Sequence, residues 1–175
     1  MPNPILILSG PVGAGKTTVG RELVTLLPGK VAYIEGDAFW SFLAKGAPGG
    51  PTRESFRTVM ASMTAAAVPL ATAGARVVLD FSIPPGFLST AQSIVALRQI
   101  PLDYVVLRPS EQVCAARAAA RDEGRIPDYS RYRNLYLSFD VMESHILSDD
   151  TAPALEMAQR IVLGLSDGRF RVPAG

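Results

Sequence analysis

Cysteine and histidine are almost missing from this chain. Cys114 and His145 are the only examples in 175 residues. A lone cysteine excludes an intrachain disulfide and a cysteine-based metal site. A lone histidine excludes a histidine cluster, and His145 reads more simply as structural than as a general base. Cys114 reads as a small buried apolar residue. Lysine is also scarce, at three against fourteen arginines. The formal net charge of +1 removes any bulk electrostatic case for nucleic acid or a membrane surface. Long apolar runs are lacking too. The run Ile5–Leu8 has no basic region before it and is too short for a signal peptide or a span. The stretch Val59–Ala73 is broken by Ser62, Thr64, Pro69 and Thr72, so it reads as a helix inside a globular protein. A cytoplasmic protein is expected.

What is present is ordinary for a folded domain. Hydrophobic residues make up 48% of the chain and charged residues 19%, which excludes disorder. Residues 1–175 suffice for one domain with a full core. Strand-like and helix-like segments alternate, which predicts a parallel α/β sheet. Strands are expected at Ile5–Leu8, Val31–Ile34, Arg76–Leu79 and Tyr104–Leu107, with a fifth at His145–Leu147. A helix is expected from Lys16 to Leu27, stopped by Pro28-Gly29. Another begins near Arg53, with Pro69 kinking or dividing it. The last runs from Pro153 to Leu165, capped by Thr151 or a neighbouring Asp. Between them lie the aromatic group Phe39, Trp40 and Phe42, the loop Lys45–Pro51, and a polar, turn-rich stretch over 121–134.

The strongest motif is Gly10-Pro11-Val12-Gly13-Ala14-Gly15-Lys16-Thr17, which fills every fixed position of G-x-x-x-x-G-K-[ST]. Glycines let backbone N–H groups turn inward around phosphate oxygens. Lys16 brings a positive charge to the outer phosphates, and Thr17 offers a hydroxyl to Mg²⁺. Thr18 continues into the helix, whose positive dipole end faces the same anions. A strand before the loop and a helix after it supply the context the motif requires. The alternative is a glycine-rich turn that binds nothing.

In open α/β sheets ligands bind beyond the carboxyl ends of the strands. Asp37 follows the second strand. It can orient an attacking hydroxyl or accept its proton, or it can cap a helix starting at Ala38. Asp80 ends the third strand and is a candidate second Mg²⁺ position, against the alternative of a solvated strand-end carboxylate. Ser110 after the fourth strand is a helix cap. The helix behind it carries Arg117 and Arg121 on one face, with Arg125 just past its end. These arginines can stabilise charge on a moving phosphoryl group or form a solvated face paired with Asp122 and Glu123.

This layout resembles the small P-loop kinases: the shikimate, gluconate and nucleoside monophosphate kinases and chloramphenicol phosphotransferase. AAA-like ATPases of unassigned substrate belong to the same group. The resemblance implies a three-layer fold with a five-stranded parallel sheet in the order 2-3-1-4-5. ATP is expected over Gly13–Thr18, a small hydroxylated acceptor over 38–75, and a lid over 121–134. The adenine would lie near the lid helix and the loop before the final helix. The protein is expected to be a monomer or homodimer. The run Asp80-Phe81-Ser82-Ile83-Pro84-Pro85 departs from the Asp-Gly-Phe-Pro-Arg run of nucleoside monophosphate kinases and from the glycines of shikimate kinase. The carboxylate-clamping arginines of the latter have no secure match, although Arg53 and Arg57 lie in the right region. An ATP-dependent transfer to a hydroxyl is therefore the expected activity. The alternatives are a nucleotide switch acting on a protein partner and a nucleotide or polynucleotide-end kinase.

Overall fold

The first strand, β1 (Ile5–Ser9), is buried at all five positions. Such a strand needs neighbours on both edges and cover on both faces. The computed structural model, which describes residues 2–43, 52–140 and 143–173, supplies both. β1 pairs in parallel with β3 (Arg76–Asp80) on one side and β4 (Leu102–Leu107) on the other. Outside these lie β2 (Val31–Glu35) and β5 (Ile146–Leu147), and the sheet order is 2-3-1-4-5, as expected.

Alternate side chains of the central strands enter two separate cores. Ile5, Ile7, Val77, Leu79, Tyr104 and Val106 point one way, beneath α2 (Arg53–Thr72) and α3 (Leu88–Ala96). Leu6, Leu8, Val78, Val105 and Leu107 point the other way. There they meet α1 (Lys16–Leu26), α4 (Glu111–Ala119) and α6 (Ala154–Ser166). A short helix α5 (Arg133–Leu137) completes the set. The result is three layers, with every crossover helix burying an apolar stripe. Each fully buried Leu or Ile contributes about 1.5–3 kcal/mol.

Several local expectations are corrected. Pro69 does not divide α2, which is continuous through it to Thr72. Proline removes one backbone donor there, but Met60, Met63, Ala67 and Ala71 keep both sides of the position packed on the core. The final helix has no side-chain cap at its start. Instead Asp149 accepts hydrogen bonds from the Thr151 and Ala152 N–H groups at 2.9 and 2.8 Å and organises the preceding loop. α4 stops at Ala119, so Arg121 lies beyond its end. Its terminal carbonyls are satisfied early, Ala118 O by the Ile126 N–H at 3.0 Å and Ala119 O by Arg125 Nε at 2.8 Å. The helix α3 had no expectation at all. The expected Lys45–Pro51 loop lies outside the described residues.

His145 and Cys114 are both structural. His145 is buried, with Nδ1 2.8 Å from the Tyr104 carbonyl oxygen. Cys114 is fully buried on α4, and burial pushes its thiol up to about 11.

Candidate functional site

The loop Gly10–Gly15 leaves β1 at its carboxyl end and enters α1 at Lys16. Its path is set by packing as much as by sequence. Gly13 has a φ of +82°, and a Cβ there would overlap the carbonyl oxygen of Cys114. Only glycine allows that approach and that dihedral together. The loop is therefore wedged against α4, the helix that carries Arg117. On its other flank, Tyr129 Oη donates to the Val12 carbonyl oxygen at 2.7 Å.

Asp80 lies beneath the loop at the end of β3 and is only 4% exposed. It is not a solvated strand-end carboxylate. Thr17 Oγ1 donates to its Oδ2 at 2.7 Å, and Tyr33 Oη donates to the same oxygen at 2.6 Å. A charge-assisted pair of this kind offsets part of the desolvation cost of the carboxylate. Burial and the bond to Asp80 push the Tyr33 phenol well above its ordinary range, so it stays a donor. Lys16 is half-buried, and its Nζ donates to the Pro11 carbonyl oxygen at 3.1 Å. Burial lowers its pKa; the carboxylates of Asp80 and Asp37 pull the other way without restoring it.

Asp37 stands in the first turn of a 3₁₀ segment, Gly36–Phe42. The cap position belongs to Glu35, and among the described residues the Asp37 carboxylate holds no backbone hydrogen bond. The helix-cap alternative therefore fails. Asp37 is exposed and faces a cleft of about 450 Å³ together with Lys16, Thr17, Glu35, Arg117 and Arg121. A second cleft of about 330 Å³ lies between Pro109, Asp149, Pro153 and Met157. Gly15, Thr18 and Arg117 line both, so the two spaces meet at the mouth of the loop.

A family profile described as an AAA domain (AAA_33) matches residues 5–132. The chain belongs to this AAA domain family. No curated protein matches the AAA domain chain by sequence. Solved structures match its fold over nearly its full length. A sugar kinase of Janibacter sp. HTCC2649 superposes with a TM-score of 0.73 at 20% identity, covering 94% of this chain and 95% of that one. The APS kinase CysC of Mycobacterium tuberculosis, in complex with AMPPNP and APS, gives 0.71 at 19% identity, covering 94% and 98%. A gluconokinase of Sinorhizobium meliloti 1021 gives 0.69 at 22% identity, covering 95% and 93%. The AAA domain of this chain thus has the fold of the small-molecule P-loop kinases. No helix among the described residues is long and apolar enough to cross a membrane.

Within this AAA domain the expected site residues separate into two groups. Lys16, Thr17, Thr18, Asp37, Arg117 and Arg121 share one cleft with Gly13 and Gly15 of the loop, and Asp80 lies behind it, bonded to Thr17. Arg125 is not among them, because its guanidinium is turned back onto the end of α4. Four residues join the site without an expectation for this role: Tyr33, Tyr129, Glu35 and Glu123. Glu35 lines the cleft and sits in register with Asp80 across the β2–β3 pair. The place of Glu35 at the carboxyl end of the second strand was its available signal, a weaker one than that of Asp37; the tyrosines had none in the local sequence.

The segment after Asp80 also gains an explanation. Phe81 and Ile83 are buried, and Ser9 Oγ and Tyr104 Oη both donate to the Ile83 carbonyl oxygen, at 2.9 and 2.6 Å. Phe81 stacks on Phe56 at 5.3 Å, and Phe56 meets Phe87 at 4.7 Å. Trp40 packs against the same group, 6.4 Å from Phe81, while Phe42 is 75% exposed. Arg53 lies over the Phe87 ring at 5.5 Å. Trp40, Phe56, Phe81 and Phe87 therefore form one aromatic cluster around the segment that follows Asp80.

Proposed function

We propose that this AAA domain is an ATP-dependent phosphotransferase acting on a hydroxyl of a small molecule. The observation that carries this reading is the shared cleft: Lys16 and Thr17 meet Asp37 and Arg121 across one space, with Asp80 behind it, bonded to Thr17. The loop N–H groups and Lys16 hold the β- and γ-phosphates of ATP. The adjoining cleft between Pro109 and Met157 takes the base.

Mg²⁺ fits the residues present. The Thr17 hydroxyl and the buried Asp80 carboxylate are hard oxygen donors 2.7 Å apart, and Mg²⁺ takes few protein ligands when phosphates supply others. Bound there by Thr17 and Asp80, the ion would neutralise phosphate charge. Asp37 accepts the proton of the acceptor hydroxyl as its oxygen bonds to the γ-phosphorus. The bond from that phosphorus to the β-bridging oxygen breaks, and ADP leaves with the electron pair. Arg117 and Arg121 face the equatorial oxygens, where charge is spread in a loose transition state.

The test is a panel of hydroxylated metabolites, nucleosides and aminoglycoside-like or phenicol-like antibiotics, scored by ADP release. Lys16→Ala abolishes ATP binding. Asp37→Asn keeps binding and loses turnover with the acceptor identified. Wild-type turnover of Asp37→Asn would remove that residue's role. Glu35 supports a second, hydrolytic reading, because it places a further carboxylate beside Asp80. Acceptor-free ADP release that survives Asp37→Asn, disappears in Glu35→Gln and rises with a protein partner establishes that reading instead.

A further inference from the structure

The Asp80 carboxylate is held from two directions, and only one of the two holders belongs to the phosphate-loop motif. Thr17 reaches Oδ2 from the first turn of α1; Tyr33 reaches the same oxygen from β2, 47 residues before Asp80. Among the described residues both of these hydrogen bonds fall on Oδ2, and Oδ1 has no hydrogen-bond partner.

The backbone is arranged around this phenol. Tyr33 stands in register with Val78 on β3, two residues before Asp80, so both side chains leave the sheet on the face covered by α1. Gly20 lies one turn after Thr17 on the same side of α1. A Cβ at Gly20 would fall 2.7 Å from Tyr33 Cε2 and 3.2 Å from its hydroxyl. Glycine inside a helix is less favourable than alanine. Here that cost leaves the space in which the ring passes between helix and sheet.

We infer that Tyr33 is a positioning residue for the metal-holding pair, fixing the Asp80 carboxylate so that Thr17 alone does not have to. The inference rests on the proposal that Thr17 and Asp80 hold Mg²⁺ beside ATP. With two donors on Oδ2, the carboxylate cannot turn about its Cβ–Cγ bond without losing both. With Thr17 alone, the only restraint comes from the hydroxyl that must also face the ion. Partners of this indirect kind commonly change metal affinity by about 10–100-fold. Among the described residues the Tyr33 hydroxyl bonds only to Asp80, and to neither the loop amides nor the Lys16 ammonium. Tyr33 therefore acts on the metal and not on the nucleotide itself.

The experiment measures binding of a fluorescent ADP analogue to the full chain, first in EDTA and then with Mg²⁺ titrated in. In EDTA, Tyr33→Phe binds the analogue as the wild type does. Its Mg²⁺ midpoint rises about tenfold. Gly20→Ala keeps the hydroxyl but displaces the ring, and moves the midpoint in the same direction. A Tyr33→Phe midpoint equal to the wild type overturns the inference. So does an equal loss with and without Mg²⁺, which is the mark of a purely structural tyrosine, and so does wild-type binding that ignores Mg²⁺. Should no acceptor be phosphorylated, the transfer reading fails while this titration still decides the role of Tyr33.

Discussion

Tyr129 Oη donates to the carbonyl oxygen of Val12 at 2.7 Å, joining two residues 117 apart in the chain. The stretch expected to form a lid is thus tied at this point to the phosphate loop. The tyrosine is buried, and its ring lies 5.8 Å from that of Tyr132. Tyr129→Phe keeps the ring and removes only the bond. The variant should lose about 1 kcal/mol of stability, read as a lower urea midpoint with an unchanged slope. Nucleotide binding should weaken as well, because the loop loses an outer restraint. An unchanged midpoint and affinity would show that the bond holds nothing.

Gly13 and Gly74 have nearly the same positive φ, +82° and +86°, in different surroundings. Gly13 is pressed on the Cys114 backbone, whereas nothing lies within 4 Å of a Cβ at Gly74. Gly74→Ala should cost only the backbone strain, about 1 kcal/mol. Gly13→Ala adds an overlap with backbone that cannot move aside, and should cost about 3–5 kcal/mol and abolish nucleotide binding. Equal costs in thermal melts would show that strain alone governs both positions.

The lowered pKa of Lys16 has a sign that can be checked. The unfolded chain holds this proton more tightly than the folded one, so between the lowered value and 10.5 stability rises with pH. At neutral pH the buried ammonium opposes folding in the absence of nucleotide. Lys16→Met should therefore melt higher than the wild type at pH 7, by about 2–4 °C for each kcal/mol relieved. The difference should shrink as the pH approaches 10. A constant difference across that range would mean that the charge is not its cause. Binding runs the opposite way, since phosphates need the ammonium that burial disfavours.

At the amino end of β4, far from the loop, Arg171 Nε donates to Asp103 Oδ1 at 2.7 Å. The Asp103 side chain is 3% exposed and the Arg171 side chain 45%. Arg171→Leu leaves a buried carboxylate without its partner. It should cost about 2 kcal/mol, below the value for a fully buried pair because the arginine is half in solvent. Nucleotide affinity should not change. A loss of affinity at unchanged stability would contradict this placement.

Much of the molecule was legible before its structure. Alternating strand and helix periods predicted a parallel α/β sheet, and the resemblance to the small P-loop kinases implied the strand order that is observed. Ser110 caps α4 as its position implies, its Oγ accepting from the Val113 N–H at 3.4 Å. The errors lie where long-range contacts outweigh local signals. Pro69 stays inside a helix because the core holds both flanks. Arg121 is carried into the cleft by the turn after α4, not by helical spacing, and Arg125 Nε is drawn onto the Ala119 carbonyl that the helix end leaves free.

Read alone, the sequence determined the phosphate loop, the alternation that builds the sheet, and the acidic residues at two strand ends. These are written in neighbouring residues, at spacings set by the geometry of one strand or one helix. Tertiary structure decided which groups meet. Tyr33 reaches Asp80 and Tyr129 reaches Val12 across 47 and 117 residues. No local period records such a meeting, because it depends on how the helices pack against the sheet.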